Sequence, residues 1–129
     1  MNVWLPDARA ILLLHRKLVE RTGGSDGVRD MGLIDSAVAR ASASFAGVEA
    51  HPGIWRKAAA LGCGIAQNHG FIDGNKRTGM AAMLLILRRN GVKMRYTQGE
   101  LVQLGLSVAQ GTMDVDDVEK WIREHAEQV

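Results

Sequence analysis

Apolar residues in this chain recur at spacings of three and four, and the stretches that carry them are separated by short glycine clusters. That period is the period of one face of an α-helix. Proline is confined to Pro6 and Pro52, so few positions forbid a helix. Six helices follow from the pattern. The first runs from Pro6, suited to a first turn, to about Thr22, with Ile11, Leu12, His15, Leu18 and Val19 near one face. "GGSDG", residues 23–27, ends it. The second runs from about Leu33 to Ala43, and "SFAGVEAHPG" reads as a loop. The third, from Ile54 to about Asn68, is rich in alanine and glycine, so its neighbours can come close. The fourth spans Asn75 to Asn90 and stops at Gly91 in a left-handed cap. "VKMRY" is a short extended link. Thr97 caps a fifth helix to Ala109, with Glu100 at capping-box spacing, and Asp114 caps a sixth to about Ala126. No segment reads as a sheet. The expected fold is all-α: one compact domain of about six helices over residues 1–129, with the site loop between helices three and four.

Charge and cysteine content narrow the function. The net charge is +2 and the pI about 9.0, too small an excess for nucleic-acid binding without a clustered basic face. Arg88 with Arg89, and Arg9, Arg16, Lys17 and Arg21 on the first helix, read as solvated faces. The single cysteine, Cys63, excludes an internal disulfide and a cysteine zinc cluster, and reads as a small buried hydrophobe. This fits a cytoplasmic location. "MNVWLPDARA" is not of signal-peptide type, and no apolar run approaches the roughly 20 residues of a membrane span.

The chemistry concentrates in "NHGFIDGNKRTGM", residues 68–80. Its glycines break the third helix, and Asn75 is of the right type to cap the fourth. The N–H groups of Gly74, Asn75, Lys76 and Arg77 are then expected to point out of a helix N-terminus, which attracts anions. Lys76 and Arg77 add full positive charge there, so the arrangement suits a phosphate. Asp73 beside a phosphate calls for a cation between them, and Mg²⁺ takes carboxylate and phosphate oxygens together. His69 is the natural general base for an incoming hydroxyl. Phe71 is expected to point inward and anchor the loop. Singly, each residue has an ordinary structural explanation; it is their spacing that argues for a site. His15, His51 and His125 are read as surface or satisfied core residues. The phosphate-loop pattern of nucleotide-binding proteins is absent, as are the H-E-x-x-H and G-x-S-x-G motifs, and "GCGIAQ" lacks the last glycine of a dinucleotide fingerprint.

"HGFIDGNKR" resembles the H-x-F-x-[D/E]-[G/A]-N-[G/K]-R signature of Fic/Doc proteins, and most of all the Doc branch, the death-on-curing toxins of type II toxin–antitoxin pairs. "GGSDGVRDMGLIDSAVAR", residues 23–40, and "LLILRRNG" are similar to that branch as well. The resemblance implies a helical Fic fold that acts on ATP with Mg²⁺. It implies that His69 is the catalytic base, that Asp73 holds Mg²⁺, that Asn75, Lys76 and Arg77 hold phosphates, and that Gly74 lets the backbone approach them. Adenylylating Fic enzymes usually have glycine where this chain has Lys76, and an arginine where it has Met80. Doc-type proteins share the lysine and transfer the γ-phosphate, with Lys76 then serving catalysis. The branch's target is the translation elongation factor Tu. AMP transfer of Fic type is the alternative activity, and a catalytically silent antitoxin-binding module the alternative class. The inhibitory pattern [ST]-x-x-x-E-[GN] is missing: Ser44, Thr97 and Ser107 are followed four residues on by Val48, Leu101 and Gly111. Restraint is therefore expected from an antitoxin in trans, with nucleic acid met only through that antitoxin and no membrane involved.

Overall fold

The computed structural model describes residues 3–127. Six α-helices account for nearly all of its regular structure: α1 (Ala8–Thr22), α2 (Met31–Ala41), α3 (Ile54–Asn68), α4 (Asn75–Arg89), α5 (Gln98–Ala109) and α6 (Val115–His125). The all-α reading therefore holds. No helix among the described residues is long and apolar enough to cross a membrane.

The centre is the antiparallel pair α3 and α4, around which the other helices pack. A Cβ on Gly79 would fall 2.6 Å from the Gly62 carbonyl oxygen, and one on Gly62 would fall 3.1 Å from the Gly79 oxygen. The two helices thus cross backbone against backbone, which only glycine permits. Leu61, Met83, Ile86 and Leu87 lie around this crossing at 1% exposure or less. Each such side chain contributes about 1.5–3 kcal/mol by leaving water. Cys63 lies in the same core, and burial pushes its thiol up to about 12, so it is inert at neutral pH.

Several ends differ from the sequence reading. Pro6 lies outside α1; Asp7 is the N-cap, and its carboxylate accepts the Ala10 N–H at 2.8 Å. A carboxylate acceptor outcompetes a proline first turn because it satisfies a donor that would otherwise be orphaned. Helix α2 begins at Met31 and ends at Ala41, two residues ahead of expectation at each end. The segment read as a plain loop holds a two-residue hairpin, β1 (Ser44–Phe45) with β2 (Val48–Glu49), turned at Ala46–Gly47 with both residues at positive φ. Buried Lys57 secures it from α3, donating to the His51 carbonyl at 2.7 Å and pairing with Glu49 at 2.8 Å. Gly91 has φ +83, and its N–H and that of Val92 bond back to Arg88 and Leu87, closing α4 in the manner expected of a left-handed cap.

Candidate active site

The loop 69–74 joins the two central helices, so its ends are fixed by the core. His69 is the C-cap of α3 in the left-handed region, φ 55° and ψ 41°, a conformation uncommon outside glycine. This turn ends the helix and leaves His69 exposed. Two residues on, Phe71 is buried at 1% exposure. The Asn75 amide clamps the Phe71 peptide from both sides: Oδ1 accepts the Phe71 N–H at 2.9 Å and Nδ2 donates to the Phe71 carbonyl at 3.0 Å.

That clamp corrects the assignment of Asn75 as the helix cap. The N-cap is Gly74, left-handed at φ +79°, and no side chain caps α4. Because glycine takes the left-handed turn, Asn75 becomes the first helical residue and its side chain reaches back over the loop. The first intrahelical bond runs from the Thr78 N–H to the Gly74 carbonyl, at 2.9 Å. The N–H groups of Asn75, Lys76 and Arg77 are left without intrahelical acceptors. Gly74 does not share in that openness, since its N–H is taken by Asp73 Oδ1 at 2.8 Å. The expected nest of four donors is thus three open donors and a fourth that already holds a carboxylate.

Asp73 is well supported as an anion. Its other oxygen accepts the Ser25 N–H at 3.3 Å, and the Arg77 guanidinium is 3.9 Å from Oδ1. The Ser25 and Gly74 N–H bonds, helped by the charge of Arg77, hold its carboxyl below the usual carboxylate range. Arg77 is fixed in turn, donating to the Thr22 hydroxyl and, at 3.0 Å, to the Gly23 carbonyl. Lys76 makes no ion pair among the described residues, so its charge is available at the helix mouth.

His69, Ile72, Asp73, Gly74, Asn75, Lys76 and Arg77, with Ala66 and Ala109, line one open cavity of about 510 Å³. A second, mainly apolar groove of about 430 Å³ adjoins it between α1, α4 and α5. Lys76 and Arg77 border both, whereas Met80, Leu84, Leu101 and Val102 line the groove and not the cavity.

Sequence reading missed the strap over this loop, residues 22–30. Val28 forms an antiparallel bridge with Phe71, the Ile72 N–H bonds to Gly27 O, and the N–H groups of Arg29 and Asp30 both bond to Gly70 O. The Arg29 side chain donates to the His69 carbonyl at 2.7 Å, placing a cation at the negative end of α3. Gly24, at φ +111°, is the closest approach: a Cβ there would stand 2.5 Å from Asp73 Oδ2. The adjacent glycines at 23 and 24 were the available signal, but they read equally well as an ordinary helix stop.

Comparison with known proteins shows what the chain as a whole is similar to. A family model described as the Fic/DOC family matches residues 5–87, which include the whole loop. A protein of Escherichia phage P1 named Protein kinase doc is 33% identical over 113 residues, 88% of each chain. The chain belongs to the Fic/DOC family. A second relative, named Toxin Doc, from Mycolicibacterium smegmatis, is 53% identical over 72 residues. That match spans about half of either protein, 56% of this chain and 55% of the relative. Membership accounts for the helical fold.

Asp73 suits Mg²⁺ on the chemistry of its donors. It is ionised, exposed and beside an anion-attracting helix end. Among the described residues no three His, Cys, Asp or Glu side chains come together. A metal here would be held by one carboxylate together with nucleotide phosphates, which is the habit of Mg²⁺.

Proposed function

We propose that this protein is the toxin of a type II toxin–antitoxin pair, and that it transfers the γ-phosphate of ATP to a hydroxyl of a translation protein, elongation factor Tu by family resemblance. The observation that carries this reading is the uncapped N-terminus of α4, opening with Lys76 and Arg77 onto the same cavity as His69 and Asp73. The names of the two relatives, one a kinase and one a toxin, support it.

Phosphoryl transfer depends on positioning and on neutralising charge spread over the phosphoryl oxygens. The open N–H groups of Asn75, Lys76 and Arg77 would hold those oxygens, and the Lys76 ammonium would meet charge as it develops. Arg77, held by Thr22 and Gly23, is positioned in advance for the neighbouring phosphate. His69 would take the proton of the target hydroxyl. Mg²⁺ bound at Asp73 would neutralise phosphate charge.

Met80 favours phosphate over AMP as the transferred group. It is buried at 4% exposure and borders the groove, so it brings no cation to the cavity where an adenylylating relative has arginine. The apolar groove, which shares Lys76 and Arg77 with the cavity, offers an antitoxin helix a place from which to block the site. Incubating the pure protein with a cell extract and either γ- or α-labelled ATP tests the reading. Label passing from the γ-position alone supports it; label from the α-position replaces it with AMP transfer, and no transfer of either label points to a silent module.

A further inference from the structure

One buried histidine remains without a role in the site as described. His15 of α1 is 2% exposed and lies flat on Phe71, with ring centroids 3.8 Å apart and planes within 6°. Its Nε2 is 2.7 Å from the carbonyl oxygen of Asp73. A carbonyl can only accept, so Nε2 carries the hydrogen and donates it. The other ring nitrogen is 3.8 Å from Asp26 Oδ1, beyond hydrogen-bonding distance.

The peptide that accepts this bond is the pivot of the site. It joins Asp73 to Gly74, a residue without a Cβ and at φ +79°, so little steric resistance opposes its turning over. In its present orientation the N–H of this peptide holds Asp73 Oδ1 at the mouth of α4. Turned over, it would place a carbonyl oxygen where an anion is to bind. The His15 ring opposes that turn by bonding the carbonyl on its inner side. It also packs against Gly74, where a Cβ would stand 3.4 Å from Nε2.

We infer that His15 is a positioning residue, whose Nε2–H holds the Asp73–Gly74 peptide in the orientation that keeps the Asp73 carboxylate at the mouth of α4 and keeps the Asp73 carbonyl oxygen out of the anion site. It acts through Asp73 and touches neither nucleotide nor target. Phe71 supplies the flat platform that orients the ring. The effect on catalytic rate rests on the phosphoryl-transfer reading, whereas the effect on the peptide does not.

Two variants separate donor from packing. His15→Phe keeps a flat ring on Phe71 and removes the hydrogen, and His15→Gln restores an N–H within reach. The residual dipolar coupling of the Gly74 N–H reads the direction of that bond in the free protein. In His15→Phe it should shift or average down while couplings within α3 and α4 stay unchanged, and in His15→Gln it should return toward its original value. With ATP and Mg²⁺ saturating, kcat should fall roughly 10- to 100-fold in His15→Phe, the cost of a small misplacement of reacting groups. KM for the protein target should stay put, and His15→Gln should recover most of the rate. An unchanged Gly74 coupling in folded His15→Phe overturns the inference whatever the cavity does. So does an altered coupling with an unaltered rate, or a loss that His15→Gln does not repair, since either reduces His15 to a packing residue. Failure of the unsubstituted protein to move phosphate from ATP defeats the kinase reading alone; the Gly74 coupling and the affinity for inorganic phosphate then decide the role of His15.

Discussion

Helices α5 and α6 begin in one way and α4 in another. At α5 the Thr97 hydroxyl accepts the Glu100 N–H at 3.1 Å, and the Glu100 carboxylate accepts the Thr97 N–H at 2.8 Å. Asp114 and Asp117 make the same reciprocal pair at the start of α6, at 2.9 and 3.0 Å. Both helix starts are closed by their own side chains. At α4 a left-handed glycine takes the cap position, and the one side chain suited to capping, Asn75, is spent on the loop instead. The same orphan donors that are a liability elsewhere become a binding surface there. Substitutions at the open end should therefore cost activity and spare stability, and substitutions at the closed ends should do the reverse.

The largest effect belongs to His69, the C-cap of α3, which lines the cavity onto which the open end of α4 faces. His69→Ala should lower the modification rate by about 10²–10⁴-fold, the usual contribution of a general base, with the thermal midpoint nearly unchanged. A folded His69→Ala protein with full rate would remove the base from the site and leave only the phosphate nest.

Next comes Asp73→Asn. It should abolish the dependence of ATP affinity on Mg²⁺ in calorimetric titration, because one carboxylate is the whole protein share of the metal site proposed here. Equal ATP affinity with and without Mg²⁺ in the unsubstituted protein would already contradict the assignment.

The closed ends supply the contrasting case. Asp114→Ala should cost about 0.5–2 kcal/mol in denaturant unfolding, the usual range for a lost N-cap, and leave the rate alone. A slowed reaction in a protein still folded would mean that α6 is coupled to the site, and would blur the distinction between the two kinds of end.

The smallest effect is one of pH. His125 stacks on Trp121, donates from Nδ1 to the Trp121 carbonyl at 2.8 Å, and pairs through Nε2 with Glu100 Oε2 at 2.9 Å. Burial pulls its pKa down, but the Glu100 and Trp121 hydrogen bonds outweigh that, and the net shift is upward from 6.5. A raised folded pKa means stability present in full below 6.5 and lost as pH rises through the folded value. The contribution should stay below about 1 kcal/mol, as for a pair near the surface. Glu100→Gln, which can keep the cap, should flatten this slope; an unchanged slope would place its origin in another group.

Local signals carried most of the fold. The apolar period, the Thr97 and Asp114 caps and Gly91 mark their elements within a few residues of sequence, and the bounds expected for α3 are those observed. Pro6 misled because Asp7, one residue later, offers a better acceptor. Asn75 misled because Gly-Asn ahead of a helix does not reveal which residue takes the left-handed turn. The 44–49 hairpin escaped because strands of two residues show no alternation. Around the cavity the motif placed six neighbouring positions together, but the strap was illegible: Thr22 meets Arg77 across 55 positions, and Ser25 meets Asp73 across 48. His15 reads from sequence as a surface or satisfied core residue, and it is buried and hydrogen-bonded; nothing in its own neighbourhood of sequence names its partner in the loop.

The glycine crossing of α3 and α4 has a consequence for how this protein can vary. With Gly62 and Gly79 in backbone contact, neither helix can slide to absorb a change in the length of the segment between them. Side chains in the loop can drift wherever chemistry allows, but the number of residues from 69 to 74 is locked. An insertion or deletion scan should find that stretch intolerant to a single added or missing residue, while the exposed turn at 46–47 accepts both; equal tolerance at the two places would show that the crossing is not rigid.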